Sequence, residues 1–258
     1  PFLHPQILDI ISFIAKQQLT CYVYTSGIYM KDEVYSSLPN EYIEAIRGMV
    51  DKVIFNVEAD SSALYDQIMG TDVGGFDMMK KSINDCVSSG LVVETHVVPM
   101  QVNFKHLKSI FEMCYQLGVS KVSILRLVLQ GRALDNLSLV KLSSEDNREV
   151  TKLIKALNEA YKGKVRIGLP YSDSICRIYC KAASDKINVR YDGNVYPCEV
   201  FKDDLLNAKL GYEPDNVWKD SFYYIYQNSP YLNVVRKSIE AFKKEEGNET
   251  CYGQFKMK

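Results

Sequence analysis

The sequence predicts an α/β protein: an incomplete parallel barrel, or an open sheet of the same kind, followed by a small cysteine-bearing extension. Three observations carry this. Up to about residue 170, short β-prone apolar runs alternate with helical patterns at the spacing of β/α units. Beyond Pro170 the pattern changes to two alternating apolar/polar runs flanking Asp192-Gly193, a strong short-range hairpin signal. Cys176, Cys180 and Cys198 gather around that hairpin.

The elements follow in order. Residues 5–18 place Ile7, Leu8, Ile11 and Ile14 at helical spacing, with Pro5 in the first turn. The run from Thr20 to Thr25 is β-prone and ends at Ser26-Gly27. A helix is expected over 40–49, capped by Asn40 after Pro39. A strand over 52–57, a polar stretch, and a helix over 76–89 stopped by Gly90 come next. The series continues with a strand from Leu91 to Val98, a helix over 104–117 stopped by Gly118, and a strand from Lys121 to Leu127. A helix over 144–161 and a strand over 165–169 close it. The strands read as nearly continuous apolar runs, the pattern of a parallel sheet covered on both faces. The strands are too few for a complete eight-fold barrel. Residues 217–242 are aromatic-rich and read as two short helices split near Ser229-Pro230. This gives two parts, a barrel part over 1–170 and an extension over 171–258.

Composition narrows the functional classes. The 258 residues are 47% apolar, enough for a sizeable core, and carry a formal net charge of −1. Balanced charge gives no electrostatic footing for nucleic acid or an anionic membrane. No apolar run reaches the ~20 residues of a membrane span. Seven cysteines without a secretory signal read as reduced thiols and ligands in the cytoplasm.

If Asp192-Gly193 is a two-residue turn, Tyr191 faces Asn194, Val189 faces Tyr196 and Ile187 faces Cys198. The hairpin then returns Cys198 beside the segment after Cys180, and three thiols can share the small volume that a soft metal or an iron–sulfur cluster requires. The competing reading is a small buried hydrophobe at each cysteine, and Cys21, Cys86 and Cys114 on core positions are read that way. Ligands of parallel α/β sheets bind at the carboxyl ends of strands, here Thr25-Ser26-Gly27, Asn56 with Glu58, His96, and Arg126 with Gln130-Gly131-Arg132. Asn56 and Glu58 suit hydroxyls or an amine, and Arg126 suits a carboxylate.

Cys180, twelve residues, then Gly193-x-x-x-x-Cys198 resembles the opening of the SPASM or twitch extension that follows a radical S-adenosylmethionine (SAM) barrel. The barrel part resembles that family too. Pro1 looks like the end of its Gly-Gly-Glu-Pro segment, Tyr24-Thr25-Ser26-Gly27 like its Thr-Asn-Gly strand end, and Phe55-Asn56-Val57-Glu58 like its ribose-proximal Ser-Leu-Asp. Leu125-Arg126 with Gln130-Gly131-Arg132-Ala133 resembles the end of the sixth strand.

The resemblance implies a partial (β/α)6 TIM-like barrel that binds SAM through Pro1, Thr25, Ser26, Asn56, Glu58 and Arg126. It also implies an auxiliary 4Fe–4S cluster on Cys176, Cys180, Cys198 and Cys251. The family cleaves SAM on another 4Fe–4S cluster to a 5′-deoxyadenosyl radical that abstracts a substrate hydrogen, often in peptide modification, with electrons from a donor such as flavodoxin or ferredoxin. The substrate implied is a peptide or a small molecule. The defining Cys-x-x-x-Cys-x-x-Cys loop is absent, and Met69 stands where many members carry a SAM-pairing arginine. The chain therefore reads as a fragment whose second cluster belongs to a missing N-terminal part, inactive alone, with an unpaired edge along Thr20 to Thr25. A zinc-stabilised, non-catalytic binding module is the alternative. An ordinary barrel enzyme acting on a phosphorylated metabolite lacks the Gly-rich phosphate loop it would need.

Overall fold

The structure, a computed structural model, describes residues 1–129, 131–167 and 180–245. Its contacts divide the chain into two compact units, Pro1–Leu127 with Asn136–Asp173, and Val128–Asp135 with Ser174–Lys258. The boundary read after Pro170 lies outside the described residues.

The first unit begins with α1 (Ile7–Lys16), whose apolar stripe buries Ile11, and β1 (Tyr22–Thr25). An antiparallel pair, β2 (Ile28–Lys31) and β3 (Val34–Ser37), follows and was not anticipated. Its ends are fixed by Ser82, whose buried hydroxyl accepts from Leu38 N–H at 2.8 Å and donates to Gly27 C=O at 2.6 Å. Ser82→Ala leaves both groups buried and unpaired, so a loss of about 1–3 kcal/mol is expected in chemical denaturation. An unchanged midpoint would show that water replaces the hydroxyl.

Next is α2 (Asn40–Ile46). The expected cap at Asn40 is not observed: Pro39, in extended conformation, precedes the helix, and Asn40 is its first residue. Then come β4 (Lys52–Asn56), α3 (Ser62–Met69) and α4 (Gly75–Ser88). The polar stretch after β4 thus contains a helix of its own. β5 (Val93–Val97) leads through a single 3-10 turn into α5 (Leu107–Gln116), and β6 (Lys121–Ile124) follows. Two four-residue helices, α6 (Arg132–Asp135), which belongs to the second unit, and α7 (Leu137–Val140), precede α8 (Ser144–Ala160). Ser143 caps α8 by accepting from Asp146 N–H at 3.0 Å. The last described strand of the unit is β7 (Val165–Ile167).

Among the described residues five strands form one parallel sheet in the order β1-β4-β5-β6-β7, an open sheet rather than a closed barrel. One face is apolar: Val23, Val53, Phe55, Val93, Val97, Val122 and Ile124 pack with Met79, Ile83, Ile110 and Cys114 of the helices in a single core. The other face corrects the expectation of apolar strands covered on both sides. Strand registers align Tyr22 with Lys52, Asn56 with His96, His96 with Ser123, and Ser123 with Arg166, so this face is aromatic and polar. Lys52 pairs with Glu94 at 2.8 Å and lies over the Tyr22 ring. Among the described residues β1 pairs only with β4, so one of its edges is unpaired within the sheet.

The second unit is built on β8 (Asn188–Val189) and β9 (Val195–Tyr196). The pair is followed by α9 (Asp204–Leu210), α10 (Phe222–Asn228) and α11 (Pro230–Glu245). The split at Ser229-Pro230 is as expected: Ser229 Oγ accepts from Leu232 N–H at 3.1 Å, and Pro230, needing no donor, takes the first helical position. Tyr196, Phe201, Leu206, Ile225, Tyr231, Leu232 and Val235 form a separate core. Among the described residues no helix is long and apolar enough to cross a membrane.

Candidate functional site

The β8–β9 hairpin is shifted by one residue from the two-residue turn. Asn188 pairs with Tyr196 and Val189 with Val195, and Arg190 N–H donates to Asn194 C=O at 2.9 Å. The loop is therefore Tyr191-Asp192-Gly193, with only Gly193 at positive φ (+83°), the three-residue loop that ends in a left-handed glycine. Ile187 does not face Cys198 across a ladder. The return is made one residue earlier, where Pro197 C=O accepts from Ala183 N–H at 2.9 Å.

That bond places the residue before Cys198 against the turn three residues after Cys180. Ala183 is fully buried at φ +64°, a strained conformation for a residue with a Cβ. It is held by Pro197 and Lys186 carbonyls on its N–H and by Arg236 Nε, which donates to its carbonyl at 2.7 Å. Arg236 also donates to Tyr226 C=O at 2.7 Å and stacks on the Tyr226 ring. Cys198 is 7% exposed within the second core, and the half-buried Cys180 packs against that same core. The Tyr231 hydroxyl, 4% exposed, donates to Asn207 Oδ1 at 2.5 Å; burial first, then the neighbouring Cys198, Tyr196 and Tyr212, hold it protonated.

Two thiols on one small core, framed by an over-determined turn, fit a soft metal or iron–sulfur group. Among the described residues no group of three or more His, Cys, Asp or Glu comes together. Cys176 and Cys251, the other sequence-proposed ligands, lie outside the described residues. Cys86 and Cys114 are fully buried on α4 and α5, and Cys21 is buried on the first core. Burial pushes the Cys86 thiol up to about 12 and the Cys114 thiol to about 11, which leaves both protonated and unsuited to ligation.

The strand-end set is arranged as follows. Pro1 is exposed, its carbonyl accepting from His4 N–H at 2.9 Å. Thr25 is buried, and its Oγ1 accepts from Gly27 N–H at 3.1 Å; Ser26 is exposed, and its Oγ accepts from Ile28 N–H at 3.3 Å. Asn56, at the end of β4, is exposed. Arg126 is half-buried, two residues beyond β6. Glu58 departs from its expected role as an open hydroxyl or amine ligand. Its carboxylate is buried, accepts from Val98 N–H at 2.8 Å and is hydrogen-bonded by the Asn56 side chain. Its carbonyl accepts from Asn103 Nδ2, which also donates to Val98 C=O at 3.1 Å. Glu58 and the buried Asn103 thus lock the ends of β4 and β5 together. No local sequence pattern marked Asn103.

Burial pushes the Glu58 carboxyl up to about 8, against the lowering from its two hydrogen bonds. A carboxyl raised in the folded state binds more protons folded than unfolded between these two values. Its contribution to stability is therefore complete below about pH 4.5 and is lost as pH rises through 8. Unfolding free energy is expected to fall by roughly 1.4 kcal/mol per pH unit within that window. Glu58→Gln should flatten the slope in urea titrations at several pH values; a slope equal to wild type would assign it to another group.

Beside this lock, Asp60 Oδ2 accepts from the Ser109 hydroxyl and lies 3.0 Å from His106 Nδ1. Burial would raise the Asp60 carboxyl, but these two partners outweigh it and hold it below the usual range. His96, beside the Tyr24 ring, is lowered by burial and then by the Arg166 cation.

Residues 180–253 match the SPASM family, an iron–sulfur cluster-binding domain. Fold and extension together are similar to a radical SAM-type partial barrel carrying a SPASM extension. Among individual proteins, the chain is 24% identical over 236 residues to the antilisterial bacteriocin subtilosin biosynthesis protein AlbA of Bacillus subtilis (strain 168), covering 91% of this chain and 48% of AlbA. Its fold matches the crystal structure of Streptococcus suis SuiB, with a TM-score of 0.66 at 11% identity over 90% of this chain and 54% of SuiB. SuiB bound to S-adenosylmethionine (TM-score 0.65, 12% identity) covers 89% of this chain and 52% of SuiB. The same shares and identity, with a TM-score of 0.66, hold for SuiB bound to its precursor peptide SuiA. The chain spans about half the length of these relatives.

Proposed function

We propose that this chain supplies the substrate-facing barrel segment and the auxiliary-cluster extension of a SAM-dependent peptide-modifying enzyme working in the reducing cytoplasm. The observation that carries the reading is the Pro197–Ala183 bond, which brings Cys198 and Cys180 to one core. Cys180 and Cys198, with Cys176 and Cys251, would hold an iron–sulfur cluster. Thr25, Ser26, Asn56 and Arg126 would bind SAM, with Pro1 at the amine of its methionine part and Glu58 acting through Asn56. The bound groups would supply one-electron chemistry at a peptide, a ligand of the kind that SuiB holds in its complex with the precursor peptide SuiA, with electrons from a flavodoxin- or ferredoxin-like donor. The residues of this chain orient the cofactor, exclude water and fix the peptide.

None of the seven cysteines forms a Cys-x-x-x-Cys-x-x-Cys spacing, so these 258 residues are not expected to cleave SAM by themselves. The test is anaerobic purification with reconstitution. Brown protein containing iron and sulfide, with no 5′-deoxyadenosine formed from SAM, is the expected result. Colourless protein with one zinc would replace the reading with a binding module, and SAM cleavage by this chain would overturn the assignment of that step to a second cluster.

A further inference from the structure

The polar face of the parallel sheet has no role in the cluster site and is unusual in charge. Three cations, Lys52, Lys121 and Arg166, stand on it with one carboxylate, Glu94, which is committed to Lys52. Among the described residues Arg166 is exposed and makes no ion pair. In register beside it is Ser123, wholly buried, with a hydroxyl that has no hydrogen-bond partner. Next in the row is His96, and then the exposed Asn56, whose side chain is tied to Glu58. A buried hydroxyl without a partner, between an imidazole and a guanidinium that makes no ion pair among the described residues, offers an N–H or O–H donor from each of the three side chains. The group that satisfies all three at once is a carboxylate: planar, twofold acceptor and anionic.

We propose that Arg166, Ser123 and His96, one from each of three adjacent strands, form a carboxylate-binding floor that takes an acidic side chain of the peptide substrate. This deepens the peptide-modifying reading and rests on it for the identity of the ligand. Arg166 supplies the bidentate fork, Ser123 donates its hydroxyl, and the carboxylate offsets the Arg166 charge that disfavours protonated His96. Binding therefore recruits a proton to His96. The charged and titratable groups facing that ring are Tyr24 on β1, Lys52 on β4, Glu94 on its own strand and Arg166 on β7.

A carboxylate could also come from SAM, and the test separates the two. The full chain is titrated by NMR with acetyl-Ala-Glu-Ala-amide and acetyl-Ala-Gln-Ala-amide, following the His96 ring, which His96→Asn assigns among the three histidines. The Glu peptide is expected to bind about tenfold more tightly than the Gln peptide and to raise the His96 titration midpoint. Arg166→Gln and Ser123→Ala should erase or shrink that preference while keeping the wild-type unfolding midpoint, and added SAM should not displace the peptide. Equal binding of the two peptides, no binding of either, or displacement by SAM would overturn the proposal. If the Glu preference holds in a protein that takes up no iron, the floor stands and the cluster reading falls.

Discussion

Replacing Cys198 or Cys180 by alanine is expected to reduce iron and sulfide in the anaerobically reconstituted protein to background. Replacing Cys86 or Cys114 should leave both at the wild-type level. The contrast follows from thiolate chemistry. A cluster iron takes a deprotonated sulfur, and a thiol pushed to about 11 or 12 by burial offers almost none at neutral pH. Cys86 and Cys114 are also fully enclosed in the first core, where the smaller side chain leaves a void costing about 1 kcal/mol. The two kinds of variant should therefore separate cleanly. Loss of metal with an unchanged first unit is expected for Cys180 and Cys198, and lower stability with retained metal for Cys86 and Cys114. Cys176→Ala and Cys251→Ala should resemble the first kind. Equal iron in every variant would remove the cysteine assignment altogether.

How much of this could be read from the chain depends on which interaction decides each local structure. The β/α order was legible because apolar periodicity alone dictates it, and the stops at Gly90 and Gly118 ended α4 and α5 within two residues of expectation. The register of the expected β8–β9 hairpin and the existence of the β2–β3 hairpin were not, for opposite reasons. Asp192-Gly193 has the composition of a two-residue turn, but Asp192 is engaged by Arg190 at 2.6 Å and accepts from Asn194 N–H at 3.1 Å. Those bonds keep Asp192 at negative φ and leave Gly193 alone in the left-handed region, which lengthens the loop by one residue. Asp32-Glu33 has no glycine, yet both residues adopt positive φ (+49° and +62°) and make the tight turn. Ser82, 44 residues away from Leu38, fixes that hairpin's base, and no local pattern reports it.

The sheet's second face was legible in principle. Val93-Glu94-Thr95-His96-Val97 alternates, and its burial alternates with it. Reading the strands as continuous apolar runs missed this, because the Val and Ile residues that dominate them lie on the core face. Glu58 shows the same limit from the other side. Its position at a strand end suggested a ligand, whereas the Val98 amide and the absence of solvent make it a strut. Of the other strand-end residues, Thr25 and Ser26 are engaged in their own turns and the exposed Asn56 is tied to Glu58, while Arg126 is half-buried beyond β6.

Gly193→Ala is expected to destabilise the second unit by about 2–4 kcal/mol and to lower iron uptake in parallel, because the same hairpin delivers Cys198. Two costs add. A left-handed backbone at φ +83° disfavours any Cβ. The added methyl would also stand on Trp218 Nε1 and within 2.9 Å of Asn216 Oδ1. Trp218 is 79% exposed and can swing away, but Asn216 cannot. Its amide donates to Asp192 C=O at 2.9 Å and to Asn194 Oδ1 at 2.8 Å, and its Oδ1 accepts from Trp218 N–H at 2.9 Å. Moving it opens the bridge that joins Asn194 to Asn216 and loosens the Val195 amide from Asp215 C=O. Trp218 is the only tryptophan in the chain, so its fluorescence reports this corner selectively. In urea the variant's fluorescence transition should move to lower denaturant than its far-UV circular dichroism transition, to which the helices of both units contribute. Coincident transitions at the wild-type midpoint would show that the turn accommodates the methyl, and the link between hairpin geometry and cluster uptake would be lost.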